Sequence, residues 1–318
     1  MKRIGILTSG GDSPGMNAAV RSVARTAITM GHEVYGIYYG FKGLLEEEIV
    51  KFDRFSVSEK MNLGGTFIRS ARFPEFKEVS VREEAIKVLE KYGIEYLVVI
   101  GGDGSFMGAR KLTEMGIKCI GLPGTIDNDL NYTDYTIGFD TAVNTVVESI
   151  DKLRDTSGSH QRCSIVEVMG RNCGDLAIHS ALSTGAKSLI TPETGFDKEA
   201  LIKDLYEQNK IGIKYSIVVI TENITDVAEL AKEIEERTKI ETRATILGYI
   251  QRGGSPTAFD RVLAMKLGKR AVELIDKGHG GRCVGVDGDE VVDYDIIEAL
   301  EMPSKDRTNM INTFNLTK

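Results

Sequence analysis

Three glycine-rich turns carry the residue types best suited to chemistry. Each couples bare backbone to carboxylates: Ser9-Gly10-Gly11-Asp12-Ser13-Pro14-Gly15, Gly101-Gly102-Asp103-Gly104-Ser105 and Pro123-Gly124-Thr125-Ile126-Asp127-Asn128-Asp129. Glycine lets N–H groups approach a phosphate closely, and a following helix adds the positive end of its dipole. Carboxylates in the same place would repel a phosphate unless a cation or a proton transfer lies between them. The combination therefore indicates phosphate chemistry with a divalent metal and a base.

Strands and helices must position these turns. Strand-like runs occur, for example, at residues 4–8, 33–38, 96–100, 118–122, 164–169, 216–221 and 244–249, and several are nearly continuous in Val, Ile and Leu. Such runs are typical of parallel strands that are covered on both faces. Amphipathic helical segments, such as residues 140–154 and 225–239, lie between them. The alternation predicts an α/β fold with doubly wound, mostly parallel sheets.

Composition narrows the class of protein. With 318 residues, 42% of them hydrophobic, the chain is expected to form roughly two domains. No apolar run approaches the ~20 residues of a membrane span, and a strand pattern begins at once without room for a signal peptide, so we expect a cytoplasmic protein. The net charge of -7 argues against nucleic acid as a partner. The cysteines lack a CxxC pair and are expected to be reduced thiols, not zinc ligands: Cys119, Cys163, Cys173 and Cys283.

The second turn favours a metal–phosphate site. Glycines flank Asp103, and Mg²⁺ prefers one or two carboxylates together with phosphate oxygens. Ser105 is expected to cap the helix that follows. No P-loop pattern occurs in the chain, and Gly102, Gly104 and Gly108 fit only GxGxxxG, which argues against a dinucleotide-dependent dehydrogenase.

The third turn contains two aspartates, Asp127 and Asp129, beside Thr125. Two carboxylates at this spacing can form a metal-ligand pair, or a base with an orienting partner. They are also compatible with an Asx-rich surface turn. The spacing does not choose between the two aspartates.

Five arginines lie near strand ends: Arg72, Arg162, Arg171, Arg243 and Arg252. Arginine beside glycine suits bidentate phosphate recognition. A single one is more often a surface residue, but the set indicates an anionic ligand.

At these residues the sequence resembles the bacterial ATP-dependent 6-phosphofructokinase family nearly end to end. The matching blocks are Leu7-Thr8-Ser9-Gly10-Gly11-Asp12, Ser70-Ala71-Arg72, Ile100-Gly101-Gly102-Asp103-Gly104-Ser105, Pro123-Gly124-Thr125-Ile126-Asp127-Asn128-Asp129, Met169-Gly170-Arg171, Thr221-Glu222, Glu241-Thr242-Arg243 and Gln251-Arg252-Gly253-Gly254. The resemblance implies a glycolytic kinase that transfers the γ-phosphoryl group of ATP to the 1-hydroxyl of fructose 6-phosphate. It also implies a larger ATP-binding domain (1–138 plus 251–301), a smaller sugar-phosphate-binding domain (139–250 plus 302–318) and homotetramers that share sites between subunits.

The resemblance also implies residue roles. Asp127 would be the base that takes the proton from the hydroxyl, and Asp103 would hold Mg²⁺. Arg162 and Arg243 would reach the 6-phosphate from a neighbouring subunit. Catalytic roles would fall to Asp127, Thr125, Arg72 and Arg171. The ATP site would comprise Gly11, Arg72, Phe73, Gly102, Asp103, Gly104 and Ser105, and the sugar site Thr125, Ile126, Asp127, Arg162, Met169, Gly170, Arg171, Glu222, Arg243, Tyr249 and Arg252.

Two glycines bear on the phosphoryl donor. Family members that use pyrophosphate have an aspartate in place of Gly104 and a lysine in place of Gly124. Both positions are glycine here. A side chain at either would fill space that the nucleotide needs, so we expect ATP to be the donor.

Two departures from the family pattern matter. Tyr249 stands where histidine is common, so we expect weaker binding of fructose 6-phosphate. The residues that match the family's ADP and phosphoenolpyruvate effector site are Arg21, Arg25, Arg54, Arg154, Gly185 and Lys214, but Lys187 replaces a glutamate there, and Ile211 and Ile213 replace lysines. The sequence leaves control by these effectors open.

Two further interpretations remain beside the ATP-dependent kinase. A pyrophosphate-dependent phosphofructokinase is disfavoured by Gly104 and Gly124. A non-catalytic sensor of nucleotides or sugar phosphates is disfavoured by Asp103 and Asp127, since a sensor needs no base.

Overall fold

The computed structural model describes all residues from Met1 to Lys318. It forms two units, which we call unit 1 (Met1–Thr141 with Arg252–Ser304) and unit 2 (Ala142–Gln251 with Lys305–Lys318). These bounds lie within three residues of the domain divisions expected from the sequence. None of its helices combines the length and the hydropathy that crossing a bilayer requires.

Strands and helices alternate along most of the chain. The strands are β1 (Arg3–Thr8), β2 (Glu33–Ile37), β3 (Ile49–Phe52), β4 (Tyr96–Gly101), β5 (Lys118–Pro123), β6 (Cys163–Val168), β7 (Ser188–Ile190), β8 (Ser216–Thr221), β9 (Thr242–Ile246), β10 (Arg282–Asp287) and β11 (Glu290–Asp295). The helices are α1 (Met16–Thr29), α2 (Gly40–Leu45), α3 (Val79–Tyr92), α4 (Asp103–Glu114), α5 (Phe139–His160), α6 (Asp175–Thr184), α7 (Lys198–Lys210), α8 (Val227–Thr238), α9 (Ala258–Asp276), α10 (Ile296–Glu301) and α11 (Thr308–Thr317), with short 3-10 helices at Pro74–Lys77 and Gly248–Arg252.

Unit 1 contains a seven-stranded sheet in the order β11-β10-β5-β4-β1-β2-β3. Strands β1, β4 and β5 are parallel neighbours, with Thr8 paired to Ile100 and Gly101 paired to Pro123. Their carboxyl ends therefore lie side by side, which is where ligands bind in such sheets. Because each glycine-rich turn follows one of these strands, the topology places all three turns at one edge.

Alternate residues of the strands in unit 1 fill cores on both faces of the sheet. On β1, Ile6 belongs to the cluster beneath α1 and α9, whereas Leu7 belongs to the cluster beneath α3 and α4. Neither side chain is exposed. This burial explains the nearly continuous apolar runs in the sequence.

Unit 2 contains a four-stranded parallel sheet in the order β7-β8-β6-β9. Its central strands β6 and β8 are paired from Cys163 and Ser216 at one end to Val168 and Thr221 at the other. Two mostly parallel sheets flanked by helices confirm the predicted fold class.

Several observed strands differ from those expected from the sequence. The strand predicted at 244–249 is wrong at its end, because Gly248 adopts φ 53° and a 3-10 helix follows. Four further strands were not among the runs named from the sequence: β3, β7, β10 and β11. The first two are short, and β11, at the sheet edge, contains three acidic residues among its six.

Candidate active site

The first glycine-rich turn joins β1 to α1 at the carboxyl edge of the unit 1 sheet. The Ser9 amide donates to the Ile100 carbonyl at 3.0 Å, which fixes the turn to the end of β4. A Cβ atom on Gly11 would lie 3.0 Å from the Arg252 guanidinium carbon. Glycine here therefore lets the guanidinium lie against the backbone of the turn.

The second turn leads directly into α4, whose first residue is Asp103. The prediction that Ser105 caps this helix is wrong. The amides of Ser105 and Phe106 donate to the Gly102 carbonyl at 3.0 and 3.1 Å, so Gly102 holds the N-cap position. The Ser105 hydroxyl is buried and has no hydrogen-bond partner within the protein. The amides of the first helical turn point out of the helix, so this end of α4 can accept an anion.

Gly104 and Gly124 differ in their surroundings. A Cβ atom on Gly104 would meet no atom within 4 Å. A Cβ atom on Gly124 would instead lie 3.0 Å from Ile100 Cγ2 and 3.1 Å from Met16 Cε, inside the protein. The space expected for the donor is therefore open at Gly104, whereas the first atom of a side chain at Gly124 would meet the core.

The third turn is ordered by its own hydrogen bonds. Asn128, at φ 52°, donates from its side-chain amide to the Asp134 carbonyl at 3.0 Å and accepts from the Thr136 amide at 3.0 Å. The Thr136 hydroxyl donates to the Thr125 carbonyl at 2.6 Å. Within this loop the Asp127 amide donates to the Thr125 hydroxyl at 3.2 Å.

The two aspartates of this loop differ in burial: Asp127 is only 4% exposed, whereas Asp129 is partly exposed. A Cβ atom on Gly102 would lie 3.4 Å from Thr125 Cβ, so the second and third turns adjoin. A buried carboxylate thus lies on the loop that meets the open start of α4.

Arg72 and Phe73 lie on a segment that hydrogen bonds tie to the first turn. The Thr8 hydroxyl donates to the Arg69 carbonyl at 2.8 Å, and the Ser70 hydroxyl donates to the Gly10 carbonyl at 2.7 Å. The Arg72 side chain is exposed and forms no ion pair within the protein. Its guanidinium is therefore available to an anion beside the glycine turns.

An aromatic cluster supports Phe73. The ring centroids of Phe73 and Phe76 lie 6.3 Å apart, and those of Phe76 and Phe41 lie 4.2 Å apart in a stacked arrangement. A Cβ atom on Gly108 would lie 2.9 Å from the Phe41 ring. Gly108, the last glycine of the GxGxxxG pattern, thus serves the packing of α4 against this cluster.

In unit 2, four predicted sugar-phosphate residues meet at the carboxyl edge of the sheet. Met169, Gly170 and Arg171 follow β6, and Glu222 follows β8. The Arg171 amide donates to the Glu222 carboxylate at 3.1 Å, and the Glu222 amide donates to the Val168 carbonyl at 2.8 Å. Glycine is required at 170, since φ is 134° and a Cβ atom would lie 2.4 Å from the Cys173 carbonyl.

Negative charge is concentrated at this edge. Burial raises the pKa of the Glu167 carboxyl, and the negative charges of Glu222 and Asp226 raise it further. A cationic group such as the Arg171 side chain, or a polar ligand, would reduce this repulsion.

Arg162 and Arg243 lie at the opposite edge of the unit 2 sheet. Arg162 directly precedes β6, and Arg243 is the second residue of β9. Six residues of β6 separate Arg162 from Met169, which is roughly 20 Å of extended chain. The structure therefore does not bring these two arginines together with Arg171 and Glu222 within one chain.

Carboxylates neutralise both of these arginines. Arg162 Nε lies 2.8 Å from one Glu241 oxygen, and Arg243 Nη2 lies 2.6 Å from the other. Arg243 also contacts Glu235 at 2.9 Å. The hydrogen bond from the Arg162 guanidinium holds the pKa of the Glu241 carboxyl below its usual value. The positive charge of Arg243 lowers this pKa further.

Tyr249 lies in the 3-10 helix after β9 and is 72% exposed. Its neighbour Ile250 and the last residue of β9, Ile246, are 58% and 62% exposed. All three side chains are thus exposed on unit 2.

The predicted effector residues form two groups, one in each unit. In unit 1, Arg21 and Arg25 lie one turn apart on α1. Arg25 donates to the Ser58 hydroxyl at 2.9 Å, and Arg54 donates to the hydroxyl of Thr29, one further turn along the helix, also at 2.9 Å. These three arginines therefore lie along one face of α1.

In unit 2, Arg154 donates to the Thr184 carbonyl, next to Gly185, which ends α6 at φ 60° with open space around it. Lys214 donates to the Asn209 side chain at 3.3 Å, and Ile211 is 78% exposed. The Lys187 amide donates to the Ile217 carbonyl at the start of β7.

Sequence reasoning missed Asp260, a carboxylate that is completely buried beside the first turn. A signal was present in Thr257-x-x-Asp260, which matches a capping box. The Thr257 hydroxyl accepts from the Asp260 amide at 3.3 Å as this motif predicts. The Asp260 carboxylate, however, accepts from the amides of Gly138 and Thr141, at the start of α5.

Comparisons with known proteins agree with this geometry. ATP-dependent 6-phosphofructokinases of Aliivibrio fischeri (strain MJ11) and Vibrio campbellii are 62% and 63% identical to this chain over 301 residues, 95% of this chain and 94% of each relative. The solved phosphofructokinase of Saccharomyces cerevisiae superposes with a TM-score of 0.86 at 33% identity, over 95% of this chain. This chain spans 45% of the length of that yeast chain.

A solved pyrophosphate-dependent phosphofructokinase from Marinobacter aquaeolei also superposes with a TM-score of 0.86, at 23% identity over 96% of this chain and 85% of its own length. At that identity the likeness shows the fold alone. The phosphofructokinase family profile matches residues 3–275, and the resemblance seen in the sequence is confirmed. The chain belongs to the phosphofructokinase family.

Proposed function

We propose that this chain is an ATP-dependent 6-phosphofructokinase, which transfers the γ-phosphoryl group of ATP to the 1-hydroxyl of fructose 6-phosphate. One observation carries the proposal: the open first turn of α4 at Gly104 adjoins the loop that holds the buried carboxylate of Asp127. Phosphoryl transfer needs positioning, charge neutralisation and a group to accept the hydroxyl proton. Relatives that carry this activity in their names are 62% identical over nearly the full chain.

On the nucleotide side, the amides at the start of α4, the buried Ser105 hydroxyl and the exposed Arg72 would bind the phosphates of ATP. Gly11 lets the backbone of the first turn approach them, and Phe73 would line the nucleoside. Gly102 and Gly104 leave room for the phosphate chain. These assignments rest on the geometry of unit 1 alone.

Asp103 is the residue proposed to hold Mg²⁺. Its carboxylate is exposed on the first turn of α4, beside the amides that would bind phosphate. A carboxylate in that position suits a hard cation that also takes phosphate oxygens. When bound, the ion would neutralise charge on the phosphates.

On the sugar side, Asp127 would accept the proton of the 1-hydroxyl, with Thr125 and the backbone of Ile126 beside it. Arg171 would stabilise charge on the transferred group. Further contacts to fructose 6-phosphate would come from Met169, Gly170, Glu222, Tyr249 and Arg252.

The site is proposed to be shared between subunits of a homotetramer. Arg162 and Arg243 lie at the amino edge of the unit 2 sheet, far from Arg171 along β6. Their contact with fructose 6-phosphate would therefore come from a neighbouring subunit. On binding, the 6-phosphate would replace the Glu241 carboxylate as the partner of these two arginines.

The two arginine-containing groups described above remain the proposed effector site for ADP or phosphoenolpyruvate. Ile211, Ile213 and Lys187 alter its charge relative to the family pattern. Saturable binding of ADP at micromolar concentration outside the active site would support this control. We further propose that the protein acts in the cytoplasm, as an enzyme of glycolysis.

One assay tests the proposed reaction. The purified protein is given fructose 6-phosphate and Mg²⁺ with either ATP or pyrophosphate, and formation of fructose 1,6-bisphosphate is measured. We expect turnover with ATP and none with pyrophosphate. The reverse result would contradict the proposal and favour the pyrophosphate-dependent alternative, and no turnover with either donor would favour a sensor.

A pair of variants tests the base. We expect Asp127→Asn to lower kcat by ~10²–10⁴-fold, since that is the usual contribution of general acid–base catalysis. Asp129→Asn, two residues along the same loop, is the matched control and should lose much less. Equal losses in the two variants would remove the assignment of Asp127.

A further inference from the structure

Asp260 is a buried carboxylate that the proposed reaction does not use. It lies in the first turn of α9 and has no exposed surface. Buried charges are costly unless hydrogen bonds satisfy them, so a carboxylate in this position needs a physical explanation. Its partners lie outside its own helix.

Three donors converge on this carboxylate. One Asp260 oxygen accepts from the Gly138 amide at 2.9 Å. The other accepts from the Thr141 amide at 2.8 Å and from the Thr141 hydroxyl at 2.5 Å. Gly138 precedes α5 and Thr141 is its third residue, so Asp260 caps α5 from a different helix.

The residue capped by Asp260 ends the loop that carries Asp127. The Ile137 amide, one residue before Gly138, donates to the Pro123 carbonyl at 2.8 Å, which closes the loop onto β5. The Ser13 hydroxyl donates to the Ile137 carbonyl at 2.9 Å. The end of the loop is thus fixed from both β5 and the first glycine-rich turn.

This segment is closely packed at Gly15 and Gly138. A Cβ atom on Gly15 would lie 2.6 Å from Ile137 Cγ2 and 3.6 Å from Asp260 Cβ. A Cβ atom on Gly138 would lie 2.6 Å from Ser13 Cβ. A change in the hydrogen bonds of Asp260 would therefore shift backbone on the active-site edge instead of being absorbed by a cavity.

We propose that Asp260 is a positioning residue for the phosphoryl-transfer reaction: its carboxylate, by accepting from Gly138 and Thr141, fixes the loop that places Asp127. This inference rests on the proposed function of Asp127 as the base. Asp260 touches neither substrate and acts only through the loop. Displacing a catalytic group by about 1 Å can cost 10²-fold in rate, so this fixed end matters for turnover.

Asp260→Asn tests the proposal. The amide keeps the shape of the side chain but turns one acceptor into a donor, which would face the Gly138 or the Thr141 amide. We expect kcat to fall ~10–100-fold, while KM for ATP and for fructose 6-phosphate stays close to wild type, because the substrate contacts are unchanged. Thr141→Ala, which removes one donor and no charge, should also lower kcat with little change in KM, but by less. It replaces Asp260→Asn as the test if that variant does not fold.

Asp295→Asn is the matched control. Asp295 also caps a helix of unit 1, accepting from the Ile297 amide at 2.8 Å and the Glu298 amide at 3.4 Å, but it forms no hydrogen bond with the loop. We expect this variant to lower the melting temperature and leave kcat unchanged. An equal loss of kcat in Asp295→Asn, or a loss in Asp260→Asn that appears only in KM, would overturn the positioning role.

Wild-type and Asp127→Asn proteins are assayed in parallel. No ATP-dependent turnover by the wild-type protein would overturn the proposed function and this inference together. An active wild type with an impaired Asp127→Asn and a normal kcat for Asp260→Asn would overturn this inference alone.

Discussion

The carboxyl edge of the unit 1 sheet and the sheet of unit 2 place their predicted site residues in different ways. In unit 1, three turns after three neighbouring parallel strands bring the residues predicted to bind the nucleotide and to act as base to one edge. In unit 2, Arg171 and Glu222 lie at one edge of the sheet, and Arg162 and Arg243 lie at the other. The first set of predicted residues is brought together within one chain, whereas the second set is not.

The two regions also differ in the interactions that hold their predicted site residues in place. Unit 1 holds its loops with internal hydrogen bonds, such as those of Asn128 and Asp260, and leaves Arg72 without an ion pair. Unit 2 instead occupies Arg162 and Arg243 with Glu241. A site that is preorganised within a chain needs only its ligand, whereas the shared site proposed here would need a neighbouring subunit as well.

Mixing of variant subunits is the strongest test of the proposal that the sugar-phosphate site is shared between subunits. Asp127→Asn should lose ~10²–10⁴-fold in kcat, and Arg243→Ala should raise KM for fructose 6-phosphate by ~10–100-fold through loss of a charge-assisted hydrogen bond. Mixed oligomers of the two should regain activity, because one of the two sites in each mixed pair of neighbouring subunits would combine Asp127 with Arg243. Turnover of subunits refolded together is compared with that of each homomer.

Glu222→Ala supplies the control for this mixing. Glu222 is proposed to act in the same chain as Asp127, so mixing Glu222→Ala with Asp127→Asn subunits should restore nothing. Recovery in that pair, or none with Arg243→Ala, would contradict the division of the site between subunits.

The two regions should also respond oppositely to pH. Burial raises the pKa of Asp260 from 3.8 to about 6, and Asp140 adds to this effect. The folded protein therefore binds more protons than the unfolded one between these values, and stability falls by about 3 kcal/mol as pH rises through them. The pKa of Glu241 is lowered, so its contribution is instead lost as pH falls.

Urea unfolding of wild type and Asp260→Asn from pH 4 to pH 7 measures the contribution of Asp260 to the pH dependence of the free energy of unfolding. The free energy of unfolding of wild type minus that of the variant should decrease over this range. A flat difference would show that the carboxylate titrates near its unfolded value.

Substitutions at Gly104 and Gly124, the two glycines that bear on the phosphoryl donor, should have different effects. Gly104→Asp enters open space and should leave the melting temperature unchanged, while its charge beside the phosphates raises KM for ATP by ~10–100-fold. Gly124→Ala should lower the free energy of unfolding by about 1–3 kcal/mol, because its Cβ would lie 3.0 Å from Ile100. Thermal melts and ATP kinetics of both variants check this, and a destabilised Gly104→Asp would contradict it.

Tyr249→His is expected to have the smallest effect. Tyr249 is 72% exposed, so the change should not disturb packing. A protonated histidine can form a charge-assisted bond to the 6-phosphate, so KM for fructose 6-phosphate should fall by about 5-fold near pH 6.5 and by less at pH 8. An unchanged or raised KM would show that tyrosine does not weaken binding.

Much of the unit 1 site could be predicted, because glycine turns after apolar strands fix both the topology and the edge where ligands bind. The alternation of Ile6 and Leu7 between two cores is a direct result of that pattern. Asp260 could not be placed, since a capping motif specifies a partner within its own helix and tertiary packing supplied another. The Ser105 cap failed because Gly102 already held that position.

In unit 2 the strand predicted at 164–169 lies between Arg162 and Arg171, so the separation of these two arginines could be expected, and the bounds of β6 agree with it. The end of β9 could not be predicted, because Gly248 shortened the strand predicted at 244–249 through its positive φ. Local backbone conformations of this kind are not determined by hydrophobic periodicity.

The packing of Gly124 against Ile100 and Met16 constrains how this chain could evolve. Replacing Gly104 is accessible in one step, since nothing lies within 4 Å of its Cβ position. A lysine at 124 would instead require Ile100 and Met16 to shift, or one of them to be replaced by a smaller side chain. A change of phosphoryl donor along this lineage would thus meet less resistance at Gly104 than at Gly124, where any compensating change lies in the core.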